Sequence, residues 1–217
     1  MIMLNRKFDE KGVVASYSKV AWFYNIWSYL TESKATKQAI AMADINDGEA
    51  LLEVAVGTGI VFSELVSRNK HGKNEGIDIS PSMLHKAEKL LKQKNQENYH
   101  LQLGNAYRLP FESNSFDLII NNFMFDLLPE EDFNAVLSEF YRVLKSPGRV
   151  VIAAMSPGFR WYHKYWYWVA KYTPSLLTGC RPISLADFMK KAGFSNIEKA
   201  LISQNTLPSE ILKAFKL

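Results

Sequence analysis

Two kinds of residue in this 217-residue chain could do chemistry: a small-residue turn able to hold a ligand, and scattered side chains able to move a proton. The turn is Leu51-Leu52-Glu53-Val54-Ala55-Val56-Gly57-Thr58-Gly59, an apolar run that ends in small residues before a helix beginning near Ile60. Glycine suits such a turn because it takes positive φ without a Cβ clash and lets a ligand approach the backbone closely. About 20 residues on, a second apolar run ends in Gly76-Ile77-Asp78-Ile79-Ser80. A glycine-rich strand-to-helix turn, followed at that spacing by an acid, holds a nucleoside in α/β proteins, with the carboxylate taking the ribose hydroxyls. A dinucleotide would also need a third glycine, where its pyrophosphate sits on the helix N-terminus. That position is Phe62, which argues for a nucleoside without a pyrophosphate.

The elements around the turn alternate. A helix is expected over 14–30, from Tyr17, Val20, Ala21, Tyr24 and Trp27, and a second over 33–43. Strand 50–56 precedes a helix at 60–68, and the strand ending at Asp78 precedes Ser80-Pro81, an N-cap with proline at the first helical position. The helix that follows, to about Lys94, carries Met83, Leu84, Ala87, Leu90 and Leu91 on one face. Further strands are expected at 99–103 and 116–121, then a helix from about Glu130 to Leu144. A Pro147-Gly148 turn leads into the strand 150–154. The tail reads helix (186–191), strand (197–202), strand (210–215). This rhythm predicts an α/β protein with a doubly wound, mostly parallel sheet.

Composition agrees with a globular domain: 47% hydrophobic and 22% charged, net charge +4. The excess of cations is far below a dedicated nucleic-acid footprint. A single cysteine, Cys180, excludes a disulfide framework or a multi-cysteine metal site and reads as a buried free thiol. The first ten residues read as neither a signal nor a transit peptide, and no apolar run reaches the roughly 18 residues of a spanning helix. A soluble, cytoplasmic protein is the expectation.

In sequence order, Glu53–Gly59, Gly76–Leu84, Gly104-Asn105-Ala106 with Leu109-Pro110-Phe111 and Ser115-Phe116-Asp117, and Arg142–Gly148 resemble the motifs of class I S-adenosylmethionine-dependent methyltransferases. Within that superfamily the chain is most similar to the quinone-ring and phospholipid methyltransferases, where a Tyr-containing N-terminal helix covers the cofactor. The resemblance implies a seven-stranded Rossmann-like sheet with an antiparallel last strand. It also implies one domain over 1–217: a helical cover (1–45), a cofactor core (46–156), an aromatic lid (157–182) and a C-terminal helix and strands (183–217). S-adenosylmethionine is the implied cofactor, held by Glu53, Ala55, Gly57, Thr58, Gly59, Asp78, Ile79, Met83, Asn105, Ala106, Asn121, Tyr17 and Tyr24, with no metal. Three positions depart from the family pattern: Ala55 replaces its first loop glycine, Asn105 the acid that meets the adenine amino group, and Arg149 the second glycine of a pair.

The residues themselves leave several roles open. Asn121 suits cofactor contact or simple strand termination, and Met83 suits adenine packing or the core. Methyl transfer needs alignment and exclusion of water, with a base only where the acceptor must lose a proton. Asp126 is the nearest titratable group after the fourth strand, and His163 is the candidate base of the following segment; His71, His85 and His100 read as surface. On a helix, Trp161, Tyr165, Trp168 and Tyr172 form one stripe, and Arg160, Lys164 and Lys171 another. That segment suits a lid over an apolar or cationic acceptor, a peripheral membrane contact through 159–172, or a packing surface. The function expected is in-line methyl transfer to a small-molecule or lipidic acceptor; the alternative is a catalytically silent cofactor-binding subunit. Asn121-Asn122-Phe123-Met124 lacks the prolines with which base-methylating enzymes grip a flipped base, so nucleic acid is not expected as a partner.

Overall fold

The computed structural model describes residues 30–172 and 180–217. The helix expected over 14–30, with Tyr17 and Tyr24, therefore lies outside the described residues apart from its last residue. Helix α1 (Ser33–Ala43) leads into β1 (Ala50–Val54), α2 (Ile60–Arg68), β2 (Lys73–Asp78), α3 (Pro81–Gln93), β3 (His100–Leu103) and β4 (Phe116–Asn122). Then come α4 (Phe133–Val143), β5 (Leu144–Met155), α5 (Lys164–Tyr172), α6 (Ala186–Lys191), β6 (Ser195–Gln204) and β7 (Leu207–Lys216). The sheet order is β3-β2-β1-β4-β5-β7-β6. The first five strands are parallel, and β7 runs antiparallel to both neighbours.

Strand period 2 sorts the core into two layers. Leu51, Leu118, Ile120, Val151 and Ala153 face α1, α2 and α3; Leu52, Ile119, Val150 and Ile152 face α4 and α6. All five residues expected inward on α4 (Phe133, Val136, Leu137, Phe140, Val143) are fully buried, although its first expected turn is a separate 3-10 turn, Glu130–Asp132. The Pro147-Gly148 turn lies inside β5 as a bulge: Phe116 pairs with Leu144, but Leu118 pairs with Arg149. Ser80 holds the N-cap position of α3, yet its hydroxyl meets Ser82 Oγ at 3.0 Å and caps nothing.

The order reverses between β1 and β4, since β2 and β3 lie on one side and β5 onward on the other. Open α/β sheets bind ligands in the crevice at the carboxyl ends of such neighbours. At the far edge, β6 and β7 join through Asn205-Thr206, both at positive φ (47° and 68°), the backbone that a two-residue hairpin turn requires.

Candidate active site

The small-residue turn is built as the residue types require. Ala55 (φ 65°), Gly57 (53°) and Gly59 (82°) are all left-handed, and the amides of Ala55 and Val56 both donate to Ile77 O. Asp78 ties the turn to β2: Oδ2 accepts Gly57 N–H at 2.8 Å, and Oδ1 accepts Ser80 N–H at 2.8 Å. The two glycines do different work. A Cβ on Gly57 would meet nothing within 4 Å, whereas one on Gly59 would lie 2.7 Å from Ala87 Cα. Gly57 keeps space open beside the crevice, and Gly59 lets α3 pack against the turn.

Ala55 carries a Cβ where the backbone favours none, at a cost of about 1 kcal/mol. Ala55→Gly relieves that strain but adds about 0.4–1 kcal/mol of unfolded-state entropy, so thermal denaturation is expected to show little change. Ala55→Val, β-branched at positive φ, is expected to destabilise by about 2 kcal/mol in the same measurement.

A cavity of about 600 Å³ opens at the ends of β1 and β4, lined by Glu53, the 55–58 turn, Asn122 and Phe123, with Glu32, Thr36, Lys37 and Ile40 from the α1 side. Glu53 Oε2 is buried without a hydrogen-bond partner. Burial pushes its carboxyl well above the usual range, the Asn122 amide opposes that shift, and the charge of Asp78 adds to it. Burial also raises Asp78, against the pull of the Ser80, Gly57 and Ile79 amides. A buried carboxyl oxygen lacking a partner favours a cation that would hold the acid ionised. The crevice thus offers an acceptor for an ammonium group at Glu53 and space at Gly57 for a ligand backbone, while Asp78, next to the turn, is not among the residues that line it. These features fit S-adenosylmethionine.

The other expected contacts are placed less uniformly. Thr58 lines the cavity. Asn121 Nδ2 donates to Val54 O at 2.8 Å, bracing β4 against β1, and its Oδ1 has no partner. Asn105 Oδ1 accepts Tyr107 N–H at 3.0 Å in a local turn. Ile79 is exposed at the end of β2, Met83 is buried on α3, and Ala106 packs partly buried beside the core. Lining residues Glu32, Thr36, Lys37 and Asn122 went unnoticed in the sequence. Glu32 is the N-cap residue of α1, so its type and position suggest only a helix start.

Asp126 is fully buried in a 3-10 turn (Phe125–Leu127). Its Oδ2 accepts Met155 N–H at 2.9 Å, and its Oδ1 has no partner. Burial, reinforced by the Glu32 charge and opposed by Met155 N–H and Arg181, pushes its carboxyl up to about 8. His163 is differently engaged: Nδ1 accepts the amides of Phe159 (3.1 Å) and Arg160 (3.2 Å), and Nε2 lies 3.2 Å from Ser203 Oγ. With Nδ1 accepting twice, the ring is neutral and donates from Nε2; burial and the Arg160 charge lower its pKa accordingly. Its ring closes the turn into α5 and fastens that turn to β6. Trp166 and Val169 pack inward with Met155 and Leu207, while Trp161 (85% exposed), Tyr165, Trp168 and Tyr172 face solvent. The Trp168 and Tyr172 rings stack, and Lys171 Nζ lies 5.5 Å from each centroid.

A seven-stranded sheet with this order, and a buried-acid crevice at its β1/β4 reversal, defines the Rossmann-like methyltransferase class. Three solved structures share the fold. The putative methyltransferase complexed with the Trm112 methyltransferase activator of Haloferax volcanii aligns with TM-score 0.74 at 17% identity, over 94% of this chain and 96% of that one. A SAM-dependent methyltransferase from Thermotoga maritima gives TM-score 0.72 at 19% identity over 94% and 99%, and one from Aquifex aeolicus 0.66 at 17% over 97% and 100%. The family model described as "Methyltransferase domain" matches residues 51–148. The demethylmenaquinone methyltransferase of Oceanobacillus iheyensis is 35% identical over 169 residues, 74% of this chain and 68% of its own length. That of Lactobacillus johnsonii is 31% identical over 70% and 64%. The chain belongs to the S-adenosylmethionine-dependent methyltransferases, and S-adenosylmethionine is its cofactor.

Proposed function

We propose that this enzyme methylates a quinol-type ring and that Asp126 receives the proton of a ring hydroxyl. The observation that carries the reading is Asp126 Oδ1, buried without a partner next to Leu127 and Met155 of a small apolar cluster. A carboxyl at about 8 is poised to take a proton from a weakly acidic hydroxyl. The names of the similar demethylmenaquinone methyltransferases support the same acceptor class.

Bound S-adenosylmethionine supplies a methyl already activated on a sulfonium. In this reading Glu53 holds the cofactor's ammonium, Asp78 its ribose hydroxyls, and Ala55, Gly57 and Thr58 its amino-acid portion across the open side of the turn. Gly59 acts through the packing of α3. Ile79, Met83, Asn105 and Ala106 surround the adenine, and Asn121 braces β4 against β1. His163 positions the aromatic segment. The test is incubation with methyl-labelled cofactor and a naphthoquinol bearing a free ring position. Label in the ring is expected; label only in phosphoethanolamine or in no small molecule would remove the quinol reading.

No helix among the described residues is long and apolar enough to cross a membrane. The outward stripe of Trp161, Tyr165, Trp168 and Tyr172 nevertheless suits the headgroup level of a bilayer, with Lys171 toward lipid phosphate. We propose peripheral contact there. Flotation with anionic vesicles is expected for the wild-type chain and lost in Trp161→Ser/Trp168→Ser; unaltered flotation would remove this contact.

A further inference from the structure

A second concavity, of about 830 Å³, lies between α1, the turn at Phe159–His163 and the β6–β7 hairpin. Its lining combines three cations, Lys34, Lys37 and Arg160, with an apolar wall of Phe159, Leu201 and Ile202, and no acid among the described residues lines it. Lys34 and Lys37 stand at i and i+3 on one helix, where like charges destabilise rather than support. None of the three cations pairs with a carboxylate among the described residues. Some other cations of the chain are paired, as in Arg68–Glu64, Lys92–Glu88, Arg142–Glu139 and Arg149–Glu49. Phe159 (40%) and Leu201 (41%) also remain exposed in this groove. Lys37 lines the 600 Å³ cavity as well, so one side chain borders both concavities.

We propose that this groove binds an anionic group, a carboxylate or phosphate, carried by the methyl acceptor. Three cations in one concavity, without a carboxylate partner among the described residues, create a field that a single anion satisfies. The apolar wall takes the body of the same molecule, because Phe159, Leu201 and Ile202 leave water when it binds. Lys37, bordering both concavities, puts that body beside the cofactor cavity. The inference rests on the methyl-transfer reading and narrows the acceptor to an anionic amphiphile.

The test is calorimetric titration of octyl phosphate into the full chain, with inorganic phosphate as the headgroup-only probe. Octyl phosphate is expected to bind more tightly than phosphate and to weaken with added salt. Lys34→Glu/Arg160→Glu is expected to lower its affinity by about tenfold or more, as two attractive charges become repulsive. Lys34→Gln/Arg160→Gln, with less perturbation of folding, is expected to fall between. No binding of octyl phosphate, salt-independent binding, or equal binding by both variants would overturn the proposal. So would binding confined to phosphatidylglycerol vesicles, because the cations would then serve a lipid surface. Affinity of the wild-type chain for S-adenosylhomocysteine is measured in parallel. Its loss would strike the assignment of the cofactor site, leaving the groove to be judged on octyl phosphate alone.

Discussion

Asp78→Ala is expected to weaken S-adenosylhomocysteine binding by about 100-fold or more, measured by calorimetry, and to lower the Tm as well. Two charge-assisted hydrogen bonds to ribose hydroxyls contribute about 1.5–3 kcal/mol each, and about 1.4 kcal/mol is a factor of ten in affinity. The loss of stability has a separate cause. Gly57 N–H and Ser80 N–H both end on this carboxylate at 2.8 Å. Truncation leaves two backbone donors unpaired, at about 1–3 kcal/mol for each that stays buried. Asp78→Asn keeps one oxygen for one of these donors, so it is expected to recover part of the stability while binding remains weak. Unchanged affinity in both variants would remove Asp78 from the cofactor site and leave it as a brace between the turn and β2.

Asp126→Asn is expected to lower kcat by about 10²–10⁴-fold, the usual contribution of a positioned base, without altering affinity for S-adenosylhomocysteine. The wild-type rate is expected to climb with pH and level off above about 8, where the carboxyl is ionised. Stability has the opposite slope. The folded carboxyl titrates near 8 against an ordinary 3.8, so the folded state binds the proton more tightly than the unfolded chain. The stability this contributes is fully present below the ordinary value and is lost as pH rises through the folded one. A neutral amide has no such loss, so the decline in Tm across that window is expected to be shallower in Asp126→Asn. A variant that flattens the Tm profile yet keeps its rate would make Asp126 a buried structural acid only.

What the sequence made legible follows periodicity. Strands β1, β2 and β4 and helices α2 and α3 declare themselves because apolar period and turn residues agree, and the buried face of α4 was readable residue by residue. Side-chain engagement was not readable in the same way. Gly57 and Gly59 look equivalent in sequence, and only the approach of Ala87 separates a glycine that leaves space from one that permits packing. Asn105 and His163 both present the right atoms for chemistry, but their acceptors are partly or wholly taken by backbone amides that no spacing rule identifies. The bulge at Pro147-Gly148 was visible as a turn, whereas its place inside β5 depends on pairing with β4. The groove was not legible because Lys34 and Lys37, neighbours on α1, meet Arg160, distant along the chain, only through tertiary packing.

The hairpin tip between β6 and β7 reaches in two directions. Gln204 Oε1 accepts Lys34 N–H at 2.6 Å, and Asn205 Nδ2 donates to Leu30 O at 2.7 Å. On its other side, Ser203 meets His163 and Thr206 Oγ1 accepts Trp166 Nε1 at 3.1 Å. One tight turn, with a β-branched Thr206 held at φ 68°, therefore anchors both the start of α1 and the aromatic segment. α1 and the aromatic segment are tied together through it. A substitution at this tip would loosen the start of α1 and the aromatic segment in one stroke.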